Sequence, residues 1–197
     1  TIRVWNNDVS GTGAIQLLNY QGALIDQVNY AGAVFAPRFI DADDDGDADI
    51  ATPFIRHDSL FLGLADANGK HLFHLLLTSG KPRIEAGGPI PWDPFVSLVM
   101  MLDVDADGKK DLVSIITTGL AREPRGIFVH SLPDGNLIGK MLIGAHIGSY
   151  IVEDLDADGR TEILIGSTAV NNGANVGGFD DARSYLILVE LEPTPRI

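Results

Sequence analysis

Residues 41–49 read DADDDGDAD, residues 103–111 read DVDADGKKD and residues 153–162 read EDLDADGRTE. Aligned, they give one pattern three times: D-x-D-x-D-G-x-x-[DE]. The first copy is Asp41, Asp43, Asp45, Gly46, Asp49. The second is Asp103, Asp105, Asp107, Gly108, Asp111, and the third Asp154, Asp156, Asp158, Gly159, Glu162. Together the three stretches hold 15 of the 27 acidic residues, so the acid is concentrated rather than spread as a solvating surface.

The spacing is that of a coordination loop. Calcium takes six to eight oxygens at about 2.3–2.6 Å, and carboxylates at positions 1, 3 and 5 converge when the chain wraps an ion. A glycine at position 6 allows the sharp turn, where a Cβ is expected to obstruct. Position 7 holds Asp47, Lys109 and Arg160. Side chains so unlike one another suit a ligand drawn from the backbone carbonyl. The acid at position 9 closes the shell. Up to three Ca²⁺ ions are therefore expected, on Asp41, Asp43, Asp45, Asp47 and Asp49, on Asp103, Asp105, Asp107, Lys109 and Asp111, and on Asp154, Asp156, Asp158, Arg160 and Glu162. Without an ion, such crowded carboxylates repel one another.

An EF-hand does not fit. Its loop needs a bidentate Glu at position 12 between two helices. Position 12 here is Thr52, Ser114 and Ile165, and the flanks are strand-like, as in Val96–Leu102, Leu112–Thr117 and Ile163–Ser167. Magnesium prefers one or two carboxylates and keeps its waters, so it suits these loops less well.

Outward from the loops, the chain repeats. The loops begin 62 and 51 residues apart, a spacing that signals a repeat architecture. Strand one enters each loop, over Val34–Ile40, Phe95–Leu102 and Ser149–Glu153. Strand two leaves it, over Asp49–Ile55, Asp111–Thr117 and Glu162–Thr168. Strand three covers Ser59–Leu64, Gly126–Ser131 and Ser184–Leu191. After a glycine-containing turn, strand four covers His71–Leu77 and Leu137–Ile143. The N-terminal segment fits strands two to four at Ile2–Trp5, Ala14–Leu18 and Ala23–Val28. No segment carries a long apolar stripe of period 3.6, so the expected class is all-β. The approximate units are 1–32, 33–80, 95–147 and 148–197, two complete and two partial, within a single segment over 1–197.

Composition narrows the function. The 197 residues carry a net charge of −13, which disfavours nucleic acid as a partner. There is no cysteine, hence no disulfide scaffold, thiol nucleophile or Cys-ligated metal. No apolar run approaches the roughly 20 residues of a membrane span. His57, His71, His74, His130 and His146 lack ligand spacing, and Ser149 has no nucleophile elbow around it. The glycine-rich run 173–178 lies between strands rather than before a helix, so it reads as a loop and not a phosphate cradle. Two long connections, Thr78–Pro94 and Ala169–Arg183, are where recognition would sit on a rigid scaffold. Arg83, Trp92, Asp93, Phe179 and Asp180 are the candidate contact residues there.

These loops, set between strands one and two of a repeat of this length, resemble FG-GAP/VCBS repeats, found in integrin α-subunit propellers and many bacterial surface proteins. The resemblance covers nearly the whole chain. The family's Phe-Gly and Gly-Ala-Pro elements are nearest matched by Gly32-Ala33-Val34-Phe35-Ala36-Pro37, and Ala106 and Ala157 stand where glycine is commoner. The resemblance implies a β-propeller of four-stranded blades, present here as an incomplete set of about four, with structural calcium in each loop. It implies an extracellular or cell-surface binding or adhesion module with a protein or glycan ligand, and further blades in the same or another chain. The alternative is part of a calcium-containing, lyase-like propeller enzyme acting on polysaccharide, for which no catalytic residue is assigned.

Overall fold

The structure of the chain is a computed structural model. It describes all residues but 1, 8–11, 31, 36, 44, 67–69, 81–82, 86, 91, 93, 106, 119–123, 133, 172 and 192–197. The described residues form strands and turns, in antiparallel sheets that are small and consecutive along the chain. They fall into two units, one of residues 1–80 with 132–135, the other of residues 81–131 and 136–197.

The first unit opens with β1 (Ile2–Asn7), β2 (Thr12–Leu18) and β3 (Leu24–Tyr30), paired in that order. The next sheet is built on β6 (Asp49–Arg56), β7 (Ser59–Ala65) and β8 (His71–Ser79). Its first strand comes in two pieces, β4 (Ala33–Val34) and β5 (Arg38–Ile40), which both pair with β6. The sequence leads one to expect a single strand over Val34–Ile40. The break lies opposite Pro53 of β6, which has no N–H to offer the ladder and only accepts, from Phe35 N–H at 2.8 Å.

The two sheets bury one apolar cluster, Ile15, Val28 and Tyr30 with Val34, Ile50, Phe54 and Ala65. Burying each aliphatic or aromatic side chain stabilises the fold by about 1.5–3 kcal/mol. The Cε1 edge of Tyr30 points at Gly63, where a Cβ would stand 2.2 Å from it, so only glycine admits the ring. Tyr30 also packs on Phe54 and His74, with centroids 5.1 and 6.0 Å away.

The second unit begins with a short hairpin, β9 (Arg83–Glu85) and β10 (Gly88–Ile90), inside the segment read above as a plain connection. A four-stranded sheet follows, β11 (Pro94–Leu102), β12 (Asp111–Thr118), β13 (Gly126–His130) and β14 (Leu137–Leu142), paired in that order. All eight residues of β12 are buried, which accounts for a run without polar–apolar alternation. The last sheet is β15 (His146–Glu153), β16 (Glu162–Thr168) and β19 (Leu186–Glu190). Between β16 and β19 the chain makes a second small hairpin, β17 (Asn175–Val176) with β18 (Phe179–Asp180). Val113, Ile115, Ile127 and Val129 of one sheet pack with Ile147, Ile163, Ile165 and Ile187 of the next. These side chains are β-branched, hence stiff at χ1 and suited to a pleated face.

One detail recurs in all three loop-bearing sheets. Strand one carries one extra residue relative to strand two, between Val34 and Arg38, between Val96 and Leu98, and between Ile147 and Ser149. Such bulges bend a strand and re-aim its end. Beyond the bulge the register is the same each time: Ile40 pairs with Asp49, Leu102 with Asp111, and Glu153 with Glu162. Each acidic loop is therefore the same hairpin connection. Among the described residues no helix is long and apolar enough to cross a membrane.

Candidate metal centres

Each loop is ordered by its own carboxylates. The position-9 acid starts strand two and is buried, with Asp49 3%, Asp111 2% and Glu162 4% exposed. It reaches back across the loop to accept the position-2 N–H: Ala42 to Asp49 Oδ2 at 2.9 Å, Val104 to Asp111 Oδ2 at 3.0 Å, Leu155 to Glu162 Oε2 at 2.7 Å. The position-5 carboxylate accepts the position-7 N–H in every loop, Asp47 to Asp45 at 2.8 Å, Lys109 to Asp107 at 2.9 Å and Arg160 to Asp158 at 2.9 Å. In the second and third loops the position-1 carboxylate also takes two N–H groups. Asp103 accepts from Asp107 at 3.1 Å and Gly108 at 3.0 Å, and Asp154 from Asp158 at 3.1 Å and Gly159 at 3.0 Å.

The glycines at position 6 have φ of +89°, +86° and +91° for Gly46, Gly108 and Gly159. An added Cβ would meet nothing within 4 Å at any of them. The expectation that a Cβ would obstruct is thus corrected: the turn demands glycine through its left-handed backbone, not through lack of space. Ala157 at position 4 also has a positive φ, +62°.

Three carboxylates converge in each loop, Asp41 with Asp43 and Asp45, Asp103 with Asp105 and Asp111, and Asp154 with Asp156 and Glu162. In each trio one oxygen per residue lies within 4.8 Å of the others. Two oxygens on one calcium ion can be at most about 5 Å apart, so each trio fits a single ion of that size. The donors are hard oxygens throughout, which suits calcium rather than a soft transition metal. In the second and third loops position 9 stands in the trio where the sequence pattern alone put position 5. Asp47, Lys109 and Arg160 keep their side chains exposed. Arg160 reaches outward to Asp158, at 3.7 Å, and to Glu190.

The crowding has an electrostatic signature. Burial pushes the Asp49 carboxyl above the usual aspartate range, and Asp43, Asp45 and Asp41 add to it, against the Ala42 N–H. Burial likewise pushes Asp111 up, aided by Asp105 and Asp107 and opposed by the Val104 N–H. Both groups resist ionisation without a cation.

The candidate contact residues separate. Trp92 is 5% exposed and belongs to the interior. Phe179 packs edge-to-face on Tyr185, centroids 5.2 Å apart, and joins the core of the second unit. Asp180 pairs with Arg183 at 3.6 Å and accepts the Ala182 N–H at 3.1 Å. Asp93 and the Arg83 side chain lie outside the described residues. His146 contacts the Thr118 carbonyl through Nδ1 at 3.2 Å, and His57 sits in the tight turn between β6 and β7 with φ +53°. A buried pair escaped the sequence reading, Arg125 with Asp181, each 1% exposed. Nothing in its local sequence marks it.

No protein-family model and no curated protein matches the chain. Among solved structures, the chain is similar to the crystal structure of the V. cholerae biofilm matrix protein Bap1, at 14% identity and a TM-score of 0.45. The likeness covers 84% of this chain and 31% of that one, so the chain spans about a third of that protein's length.

Proposed function

We propose that this chain is a run of calcium-stabilised blades of a β-propeller, serving as an extracellular binding or adhesion module. The observation that carries the reading is the threefold loop: one register, the same two carboxylate-to-backbone hydrogen bonds and a trio of converging carboxylates in each, on the hairpin between strands one and two. The propeller part is supported by consecutive antiparallel sheets that pack face to face through aliphatic cores within each unit.

In this reading the trios hold the ion, with the carbonyls of Asp47, Lys109 and Arg160 as further donors. A bound ion would offset the repulsion among the carboxylates, taking the net charge from −13 to about −7 when three sites fill. The protein's own groups do the rest. Position 9 ties the loop to strand two, and the glycine at position 6 turns the chain so that its carboxylates can converge. Sites of this kind would fill where calcium is plentiful, as it is outside the cell. A protein or glycan ligand would be met by the exposed connections of a scaffold stiffened in this way.

The test is titration calorimetry and thermal melting in calcium and in chelator. Three ions per chain and a calcium-dependent rise in melting temperature are expected; no response to millimolar calcium refutes the reading. Asp105→Ala or Asp156→Ala should remove one ion. Asp44→Ala, at position 4, should leave the stoichiometry unchanged, and equal losses from Asp43→Ala and Asp44→Ala would mean a diffuse acidic patch. A glycan array beside a polysaccharide-lyase assay separates the binding module from the enzyme alternative.

A further inference from the structure

The second unit carries a closed circuit of contacts that the metal reading does not use. Arg125 stands immediately before β13 with its side chain buried. Its Nε donates to Thr118 Oγ1 at 2.9 Å, and its Nη1 to the Gly144 carbonyl at 2.6 Å. Its own carbonyl accepts the Ile143 N–H at 2.9 Å. Ile143, Gly144 and Ala145 are the connector from β14 to β15, from one sheet to the next. Arg125 therefore grips that connector at two consecutive residues.

The connector is held from the other side by the arm around β17 and β18. Gly144 N–H donates to the Val176 carbonyl at 3.0 Å. The backbones touch: a Cβ on Gly144 would stand 2.1 Å from the Phe179 carbonyl oxygen, and one on Gly177 2.0 Å from the Leu142 carbonyl oxygen. The arm in turn is organised on Asp181. Its Oδ1 accepts the Gly173 N–H at 3.0 Å, its carbonyl accepts those of Val170 and Asn171 at 2.8 and 2.9 Å, and its N–H donates to Ala174 at 3.0 Å. Asp181 Oδ2 lies 3.9 Å from Arg125 Nη1, which closes the circuit.

A connection from β16 to β19 needs none of this, since those strands are neighbours in one sheet. A buried charge pair is retained at a desolvation cost that apolar residues would avoid, so it is better accounted for by specificity of arrangement than by stability. We propose that Val170, Asn171 and residues 173–181 are a clasp over the sheet-to-sheet connector, latched by Arg125 and Asp181, and that arm and connector open and close as one unit, apart from the strands on either side. Local openings of contiguous elements are the usual way in which such units reveal themselves.

Hydrogen exchange by mass spectrometry on the full chain tests this, with two variants that open the clasp differently. Asp181→Asn removes the charge but keeps an acceptor for Gly173. Gly144→Ala leaves the charge pair alone and blocks the close approach of the arm. In both, amides of 142–146 and of 170–181 should exchange faster together, by about tenfold or more, while β12 and β16 keep their protection. Faster exchange in the arm alone, with the connector unchanged, overturns the proposal. So does an equal rise across β12 and β16, which would mark the pair as general core stability, and so does no change in either variant. If Asp181→Asn fails to fold, Gly144→Ala decides by the same criteria.

Discussion

Replacing Asp111 by Asn should reverse the sign of its effect between metal-free and calcium-loaded protein. The Asp111 carboxylate is 2% exposed, and one of its oxygens lies within 4.8 Å of oxygens of Asp103 and Asp105. Two unit charges at that distance repel by about 1 kcal/mol in water and about 3–4 kcal/mol at an effective dielectric of 20. Asn keeps an oxygen for the Val104 N–H, which Asp111 Oδ2 now accepts at 3.0 Å, and removes the charge. In chelator the variant should therefore be more stable than the unaltered chain, by roughly 1–3 kcal/mol. In calcium the order inverts. A site at free calcium 100 times its dissociation constant stabilises by about 2.7 kcal/mol, and the variant forfeits most of that at one loop. The assay is paired denaturant titration in chelator and in millimolar calcium. A variant less stable in both conditions would refute the reasoning, since it would make Asp111 an ordinary structural acceptor; one more stable in both would refute the metal site.

Further outcomes follow from the same geometry. Asp49 and Asp111 hold their protons more tightly folded than unfolded, so the unfolded chain ionises first as pH rises. Metal-free stability should thus fall from the ordinary aspartate pKa upward through the raised folded values, while calcium protection grows over the same window; melts from acid to neutral pH in chelator and in calcium would show both slopes, and a metal-free stability rising with pH would contradict the first. Gly159→Ala has open space but φ +91°, so it should lose about 1–2 kcal/mol through backbone strain, with Gly159→Asn losing less; equal losses in denaturant titrations would argue against strain. Gly63→Ala should cost about 1–3 kcal/mol by driving a Cβ into Tyr30, and pairing it with Tyr30→Ala should recover part of that in a double-mutant cycle.

The acidic loops were legible because everything that defines them lies within nine residues. Positions 1 and 3 converge in all three loops, joined by position 5 in the first and by position 9 in the other two; the glycine at position 6 supplies the positive φ, and the flanking β-branched runs specify strands on both sides. The same holds for the hairpin order, since a strand that leaves a short loop pairs with the one that entered it. The role of position 9 was only half legible. Its acid is visible, but its burial and its bond to the position-2 N–H depend on the register that the bulge in strand one sets; Pro37 and Gly148 are residue types that permit a bulge, while nothing about Ser97 announces one. The two small hairpins, β9–β10 and β17–β18, look like plain connections in sequence because two- or three-residue strands have too few positions to show a period. Phe179 and Trp92 read in sequence as contact residues; Phe179 is instead half-buried against Tyr185 and the core of the second unit, and Trp92 is buried. Arg125 and Asp181 show the limit most plainly. Each is an unremarkable charge in a polar stretch, and they meet because two sheets stack and an arm folds across their joint. Local spacing encodes contacts whose partners are a few bonds apart, while a pair separated by two sheets exists only once the cores of those sheets have formed.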